Sequence, residues 1–435
     1  MNFFLINLKV SGIKNIEDEI QFDFYNKILT NFNPELYRVK AIYGENGSGK
    51  TAVMTAVSIA KKIVLTPGYL KQEVNQSFLD SIINKKTHTL YMEFEFASYT
   101  EEFLDEYRYS FKLKQNDIGL YELKKEKLEK ISDYTKNKKF KTVFEVIDGK
   151  IAHVDLPEKT SKPILDKTIN TLHENSLIFN LIDKRFAKEE TYYSIMALAV
   201  FFLSIVVFLD EEDMHEMYLI NRILDGLKSE NLEEETRKRI FFISKQHSYI
   251  DSKGRSVVNK KDIAEFEKKI SRLCEFLKIF KPDLKSISID KREDIDSYIC
   301  ELVLNYSDYS INQEFESTGI KKLIRLYDAF VNADDGNISF VDEMDSNLND
   351  VYLCKIVEYF ANYGKGQLCF TTHNLDPMDV IKNNKNSIDF LSADNKVVSW
   401  KVTGNAAPDR FYRNGMIENS PFNVDAIDFI GKFGE

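Results

Sequence analysis

The stretch Ile42–Val57, IYGENGSGKTAVMTAV, sets Gly44 four residues ahead of Gly49, Lys50 and Thr51. That spacing fits the phosphate-binding loop in full. Gly44, Gly47 and Gly49 let the backbone turn tightly and offer N–H groups as an anion nest, with Glu45, Asn46 and Ser48 completing the loop. The helix that follows adds the partial positive charge of its N-terminus. In such a loop Lys50 reaches the β- and γ-phosphates of a nucleoside triphosphate, and the Thr51 hydroxyl ligates Mg²⁺.

A second group lies in the last third of the chain. GNISFVDEMDSNL (Gly336 to Leu348) is a short apolar strand ending in two acids. Asp342 is placed to hold the metal through water, and Glu343 to polarise an attacking water as general base. QLCFTTHN (Gln367 to Asn374) is a β-rich run ending in Thr-Thr-His. His373, just past that strand end, suits a sensor of the γ-phosphate. The other five histidines have no metal-ligand spacing. Ahead of these, FESTGIKKLIRLYDAF (Phe315 to Phe330) sets Ser317 and Gly319 at the start of an amphipathic helix, a second anion-binding device.

These groups need strands and helices to carry them. YRVKAIY (Tyr37 to Tyr43) reads as a buried strand feeding the loop, and Lys50 to Leu65 as a proline-free helix. FFLINLKV and IQFDF read as an antiparallel pair, and THTLYMEFEF, YRYSFKL and GLYEL as further strands. The apolar run Ile195 to Leu209 reads as one buried helix, because its 15 residues fall short of the roughly 20 a bilayer requires. SKGRSVVNKK (Ser252 to Lys261) reads as a loop between helices. The pattern divides the chain into an N-terminal half of an α/β nucleotide-binding unit (1–164), a mainly helical insertion (165–290) and a C-terminal half (291–435).

At 435 residues with 43% hydrophobic and 13% aromatic content, the chain is globular rather than disordered. Its net charge of −10 excludes a global nucleic-acid footprint. Residues 108–141 are an exception, with eleven Lys or Arg against five Asp or Glu; a solvated hairpin face is favoured there over a nucleic-acid or partner patch. Cys274, Cys300, Cys354 and Cys369 form no Cys-x-x-Cys pair. The start MNFFLINLKV has no basic leader, so a cytoplasmic location is expected.

The order of phosphate loop, Ser-x-Gly helix, strand-Asp-Glu, MDSNL and strand-His resembles the ATPase heads of the ABC/SMC type. ESTGIKKL is similar to their signature, with Ser317 and Gly319 in matching places, while Asp345 stands in the D-loop and His373 in the H-loop. YRYSFKL…GLYELKKEKL and the tail GMIENSPFNVDAIDFIGKFGE resemble the prokaryotic AAA-15/AAA-21 ATPases of abortive-infection and other anti-phage systems. The resemblance implies a mixed sheet with a P-loop core, an antiparallel β subdomain and an inserted helical domain. It also implies Mg²⁺-dependent ATP hydrolysis and a homodimer, or higher oligomer, that sandwiches ATP between its heads. No second active site is legible, and the stretch after His373 is too short for the Toprim nuclease of some relatives. A separate effector protein, a nuclease or other toxin, is therefore the expected partner, with nucleic acid the alternative and no membrane. The rival readings are an SMC-like or recombination-mediator ATPase of DNA maintenance, and a nucleotide-gated binding module with negligible turnover. The signature is degenerate, and for the Q-loop Asn180 is the first candidate, with Gln72 and Gln76 behind it.

Overall fold

The computed structural model of the chain describes residues 2–25, 29, 32–100, 102–131, 139–157, 159, 162, 166, 168, 171–182, 189–209, 249–250, 255–294, 297–401 and 407–417. The chain opens with the expected antiparallel pair, β1 (Asn2–Ser11) and β2 (Ile20–Asp23). β3 (Val39–Tyr43) then feeds α1 (Lys50–Leu65), followed by α2 (Glu73–Ile82). A meander comes next: β4 (Thr89–Tyr99), β5 (Leu104–Gln115), β6 (Tyr121–Ile131), β7 (Lys141–Ile147) and β8 (Lys150–Val154). The short α3 (Ile178–Leu181) precedes α4 (Glu190–Ser204), which runs straight into β9 (Ile205–Phe208). Beyond lie β10 (Tyr249–Ile250), β11 (Ser256–Asn259), α5 (Ile263–Lys278), β12 (Leu284–Glu293), β13 (Ser297–Tyr306) and β14 (Ser310–Asn312). The C-terminal third alternates α6 (Thr318–Asp334), β15 (Ile338–Val341), α7 (Asp350–Asn362), β16 (Gln367–Thr371), α8 (Asp376–Ile381) and β17 (Ile388–Leu391). It closes with β18 (Val397–Ser399) and α9 (Pro408–Arg413).

Among the described residues three sheets result, and the fold is a mixed α/β one. The central sheet has the order β18-β17-β3-β16-β15-β9 and is parallel except for the edge strand β18. Its strands VKAIY, ISFV, QLCFT and IDFL are buried at every position. Unbroken apolar runs of this kind are what a parallel sheet covered on both faces requires. The antiparallel sheet β2-β1-β4-β5-β6-β7-β8 shares a core with α1, α4 and one face of the central sheet. The other face packs on α5, α6, α7 and the small sheet built around β13.

Two expectations change. The apolar run Ile195 to Leu209 is not one helix, because α4 stops at Ser204 and β9 begins at once. Ile205, Val206 and Val207 are β-branched, which favours extended backbone, and β9 gains a parallel partner in β15. This part of the expected helical insertion is therefore an edge of the central sheet. Likewise SVVN, expected within a loop, is strand β11 paired with Ser297–Cys300 of β13. Much of the remaining insertion, 210–248, lies outside the described residues. No helix among the described residues is long and apolar enough to cross a membrane.

Side chains join the sheets. The buried Gln367 amide at the start of β16 accepts from the Leu5 N–H (2.7 Å) and donates to the Leu5 carbonyl (3.0 Å). It takes the place of a neighbouring strand where the pairing of β1 with β4 is shifted between Leu5 and Asn7. Gln367→Ala leaves both backbone groups buried without partners, each worth about 1–3 kcal/mol. Chemical denaturation of the variant is expected to show a loss of about 2–5 kcal/mol, and a loss under about 1 kcal/mol contradicts the joint.

Candidate nucleotide-binding and catalytic site

The phosphate loop starts where β3 ends. A Cβ at Gly44 would lie 2.3 Å from the Leu391 carbonyl oxygen and 2.5 Å from Ser48 Oγ, so only glycine fits. Gly49 caps α1 at φ +107°, and Gly47 turns at φ +80°, both left-handed. The turn after β1 braces the loop from outside: Asn15 Nδ2 donates to the Gly47 carbonyl (2.9 Å), and Ile16 lies 2.9 Å from where a Gly49 Cβ would stand. Within the loop the Ser48 N–H donates to the Glu45 carbonyl (3.1 Å). Asn46 is exposed, Glu45 and Thr51 are half-buried, and Ser48 is fully buried with its hydroxyl lacking a partner.

Lys50 Nζ turns back onto the loop, donating to the carbonyls of Gly44 (2.8 Å) and Glu45 (3.0 Å). Burial pulls its pKa below the usual lysine value, against the opposing charges of Asp342, Glu343 and Asp345. Those acids arrive from the neighbouring strands. Parallel register sets Thr371 beside Ile42 and Phe370 beside Val341, so β3, β15 and β16 end level. The Asp342 N–H donates to the Phe208 carbonyl of β9 (2.9 Å), and Asp342 Oδ1 accepts from the Thr371 hydroxyl (2.6 Å). Glu343 is exposed with φ +45°, a left-handed backbone in a non-glycine residue. Asp345 Oδ2 accepts the N–H groups of His373 and Asn374, both at 3.2 Å. His373 is held below its ordinary pKa by partial burial first and by the Lys50 charge second, with Asp345, Glu343 and Asp342 pulling the other way.

The residues fit Mg-ATP. The cradle has no room for a side chain at Gly44, the Ser48 hydroxyl is an orphan, and the Lys50 ammonium is satisfied only by two carbonyls that a phosphate oxygen could replace. The first N–H groups of α1 have no carbonyl one turn earlier within the helix, which leaves them for an anion. Thr51 and Asp342 would supply oxygen ligands of the kind a hard cation takes. No group of three or more His, Cys, Asp or Glu that could hold a metal ion occurs among the described residues.

Ser317 and Gly319 stand apart. Ser317 caps α6, its Oγ accepting from the Ile320 N–H (3.4 Å), and it is exposed. A Cβ at Gly319 would lie 2.8 Å from the Asn347 carbonyl, so glycine lets α6 sit on the loop that carries Asp345. Among the described residues, no hydrogen bond or charge contact joins Ser317 or Gly319 to Gly44–Thr51. Among the described residues, no hydrogen bond joins the Q-loop candidates to Gly44–Thr51 either. Gln76 is committed to the Leu70 and Tyr121 carbonyls and the Tyr121 N–H, and Gln72 accepts from Asn75. Asn180 sits in α3, just after the Leu177 N–H that the buried Glu126 carboxylate accepts. Sequence reasoning missed Asn15, Ile16 and Thr371. For Thr371 the signal was present: a hydroxyl at the last position of an otherwise apolar strand.

Six of the eleven basic residues in the stretch 108–141 hold ion pairs among the described residues. Arg108 faces Glu93, Glu95 and Glu129; Lys124 pairs with Glu122, Lys125 with Glu145 and Lys127 with Glu129. Lys130 meets Asp105 and Glu190, and Lys141 meets Asp155. The pairs of Arg108 and Lys125, and that of Lys130 with Asp105, cross between neighbouring strands, while Lys124 and Lys127 pair within β6. Residues 132–138 lie outside the described residues.

Residues 40–376 match the AAA_21 family, described as "AAA domain, putative AbiEii toxin, Type IV TA system". No curated protein matches the chain.

The lowered pKa of His373 sets a sign. Its native state favours the neutral ring, so its contribution to stability is complete above the ordinary histidine value of about 6.5 and falls away as pH drops through the lowered one. Lys50→Met removes one of the two depressing causes while the three acids remain. Titration of the His373 ring by NMR is expected to show an upward pKa shift in that variant, and an unchanged or lower value refutes the proximity.

Proposed function

The chain belongs to the AAA_21 family, and we propose that it binds and hydrolyses Mg-ATP at the junction of β3, β15 and β16. One observation carries the reading: Lys50, Asp342, Glu343, Asp345 and His373, drawn from three strand ends, lie within electrostatic reach of one another beside a glycine cradle. The backbone of Gly44–Thr51 holds the phosphates, and Lys50 exchanges its loop carbonyls for phosphate oxygens. Bound Mg²⁺ supplies charge neutralisation, with Thr51 and Asp342 as its protein ligands. Glu343 accepts the proton of the attacking water. His373, held neutral, offers a hydrogen bond to the γ-phosphate.

A parallel sheet that carries the phosphate loop, with an antiparallel sheet packed on one of its faces, supports reading the chain as an ABC/SMC-type head. The separation of Ser317 and Gly319 from their own loop supports a head-to-head dimer, in which they face the phosphate loop of the partner. Such a head opens and closes with nucleotide and passes its change of shape to something else. The net charge of −10 and the ion pairs that occupy Arg108, Lys124, Lys125, Lys127, Lys130 and Lys141 support a protein recipient over nucleic acid, and on this reading the chain acts as sensor or scaffold of an anti-phage system controlling a separate effector. DNA-stimulated turnover would instead favour the DNA-maintenance reading.

Glu343→Gln is expected to retain ATP binding and lose turnover by at least about 100-fold, since an amide cannot take the proton. Lys50→Ala is expected to lose binding. Wild-type turnover in Glu343→Gln would exclude Glu343 as the base. In sedimentation with saturating Mg-ATP, Glu343→Gln is expected to be dimeric or larger and Ser317→Arg to weaken that pairing; a monomer ends the sandwich proposal. Co-purification with the products of adjacent genes tests the effector: the ATPase emerging alone, with and without ATP, counts against it.

A further inference from the structure

Thr371 does more than end a strand. It is fully buried, and its hydroxyl makes two hydrogen bonds into the acidic pair. It donates to Asp342 Oδ1 at 2.6 Å and accepts from the Glu343 N–H at 2.8 Å. Its own carbonyl accepts from the Met344 N–H at 3.0 Å. One residue of β16 thus grips three consecutive residues of the neighbouring strand end.

The grip has a target. Glu343 has φ +45°, a conformation that costs a non-glycine residue on the order of 1 kcal/mol or more and persists only where its surroundings hold it. The Thr371 hydroxyl fixes the N–H on one side of Glu343, and the Thr371 carbonyl fixes the N–H on the other. Asp342 is constrained as well: with Oδ1 taken up by the hydroxyl, its carboxylate cannot rotate freely, and Oδ2 is left for a further partner. A threonine suits the task because its β-branched χ1 is stiff in a strand, so the hydroxyl needs no ordering.

We propose that Thr371 is a positioning residue that sets the Asp342 carboxylate for the metal and holds the strained Glu343 backbone at the attacking water. The inference rests on the ATPase reading of the same site. Outer partners of metal ligands are worth about 10–100-fold in metal affinity or activity. Thr371→Val keeps the shape and removes the hydroxyl, leaving Asp342 Oδ1 and the Glu343 N–H without it.

The experiment titrates Mg²⁺ against ATPase rate in the full-length protein for wild type, Thr371→Val and Thr371→Ser, with nucleotide binding measured in EDTA alongside. Thr371→Val is expected to raise the Mg²⁺ concentration for half-maximal rate about 10-fold or more and to lower kcat, with metal-free ATP binding unchanged. Thr371→Ser is expected to recover most of both. Wild-type Mg²⁺ dependence and kcat in Thr371→Val overturn the proposal, as does a loss of kcat in both variants with unaltered Mg²⁺ dependence. If Thr371→Val does not fold, Thr371→Ser against Thr371→Ala gives the same comparison, with the hydroxyl as the difference. Lys50→Ala and Glu343→Gln run in parallel: turnover surviving in them condemns the ATPase reading itself, whereas their inactivity beside a normal Thr371→Val condemns the positioning role alone.

Discussion

Backbone pairing of β16 between β3 and β15 decides where every charged group of the site stands. The strands run parallel and in register, with Thr371 beside Ile42 and Phe370 beside Val341. Their carboxyl ends therefore open onto one crevice, the place where parallel sheets bind ligands. A one-residue slip would reverse every side chain of a strand and carry its acids out of reach of the loop. Register is enforced by burial, because all three strands are covered on both faces and have no polar side to expose.

Buried polar side chains act as joints within this apolar frame. Asn332 of α6 donates to the carbonyls of Ser204 and Ile338, and Lys61 of α1 donates to the adjacent carbonyl of Ile205 at 2.6 Å. The helix behind the phosphate loop and the helix capped by Ser317 thus hold consecutive carbonyls at the junction of α4 and β9. Lys40 and Asp389 form an ion pair of 2.5 Å between β3 and β17, with the Ser399 hydroxyl donating to the second carboxylate oxygen. Breaking such a pair by removing one partner costs more than replacing both, because a lone buried charge remains. The joints contribute specificity of arrangement more than net stability.

The charges on the outer antiparallel sheet have a different role. Arg108 and several of the sheet's lysines pair with acids of the same strand or of neighbouring strands, which offsets part of the local positive charge. Exposed pairs of this kind contribute little to stability, about 0–1 kcal/mol each. Their effect is to weaken the basic field that the composition of 108–141 alone would suggest.

The sequence by itself determined the candidate motifs and many of the elements. A glycine spacing with the right flanks, an apolar strand ending in Asp342-Glu343 and a strand ending near His373 are local patterns, so they survive without coordinates. The antiparallel opening pair and the P-loop helix Lys50–Leu65 were legible for the same reason. Tertiary structure alone decided what depends on a distant partner. Ile205–Phe208 is a strand because β15 lies beside it, although the run continues an apolar helix in sequence. SVVN is a strand because β13 accepts it. Arg108, Lys125 and Lys130 are offset because acids of neighbouring strands, Glu93, Glu95, Glu145 and Asp105, lie beside them. Thr371 matters because β15 and β16 end side by side, bringing its hydroxyl against Asp342 and Glu343 some 30 residues away in the chain, a separation that no local pattern spans.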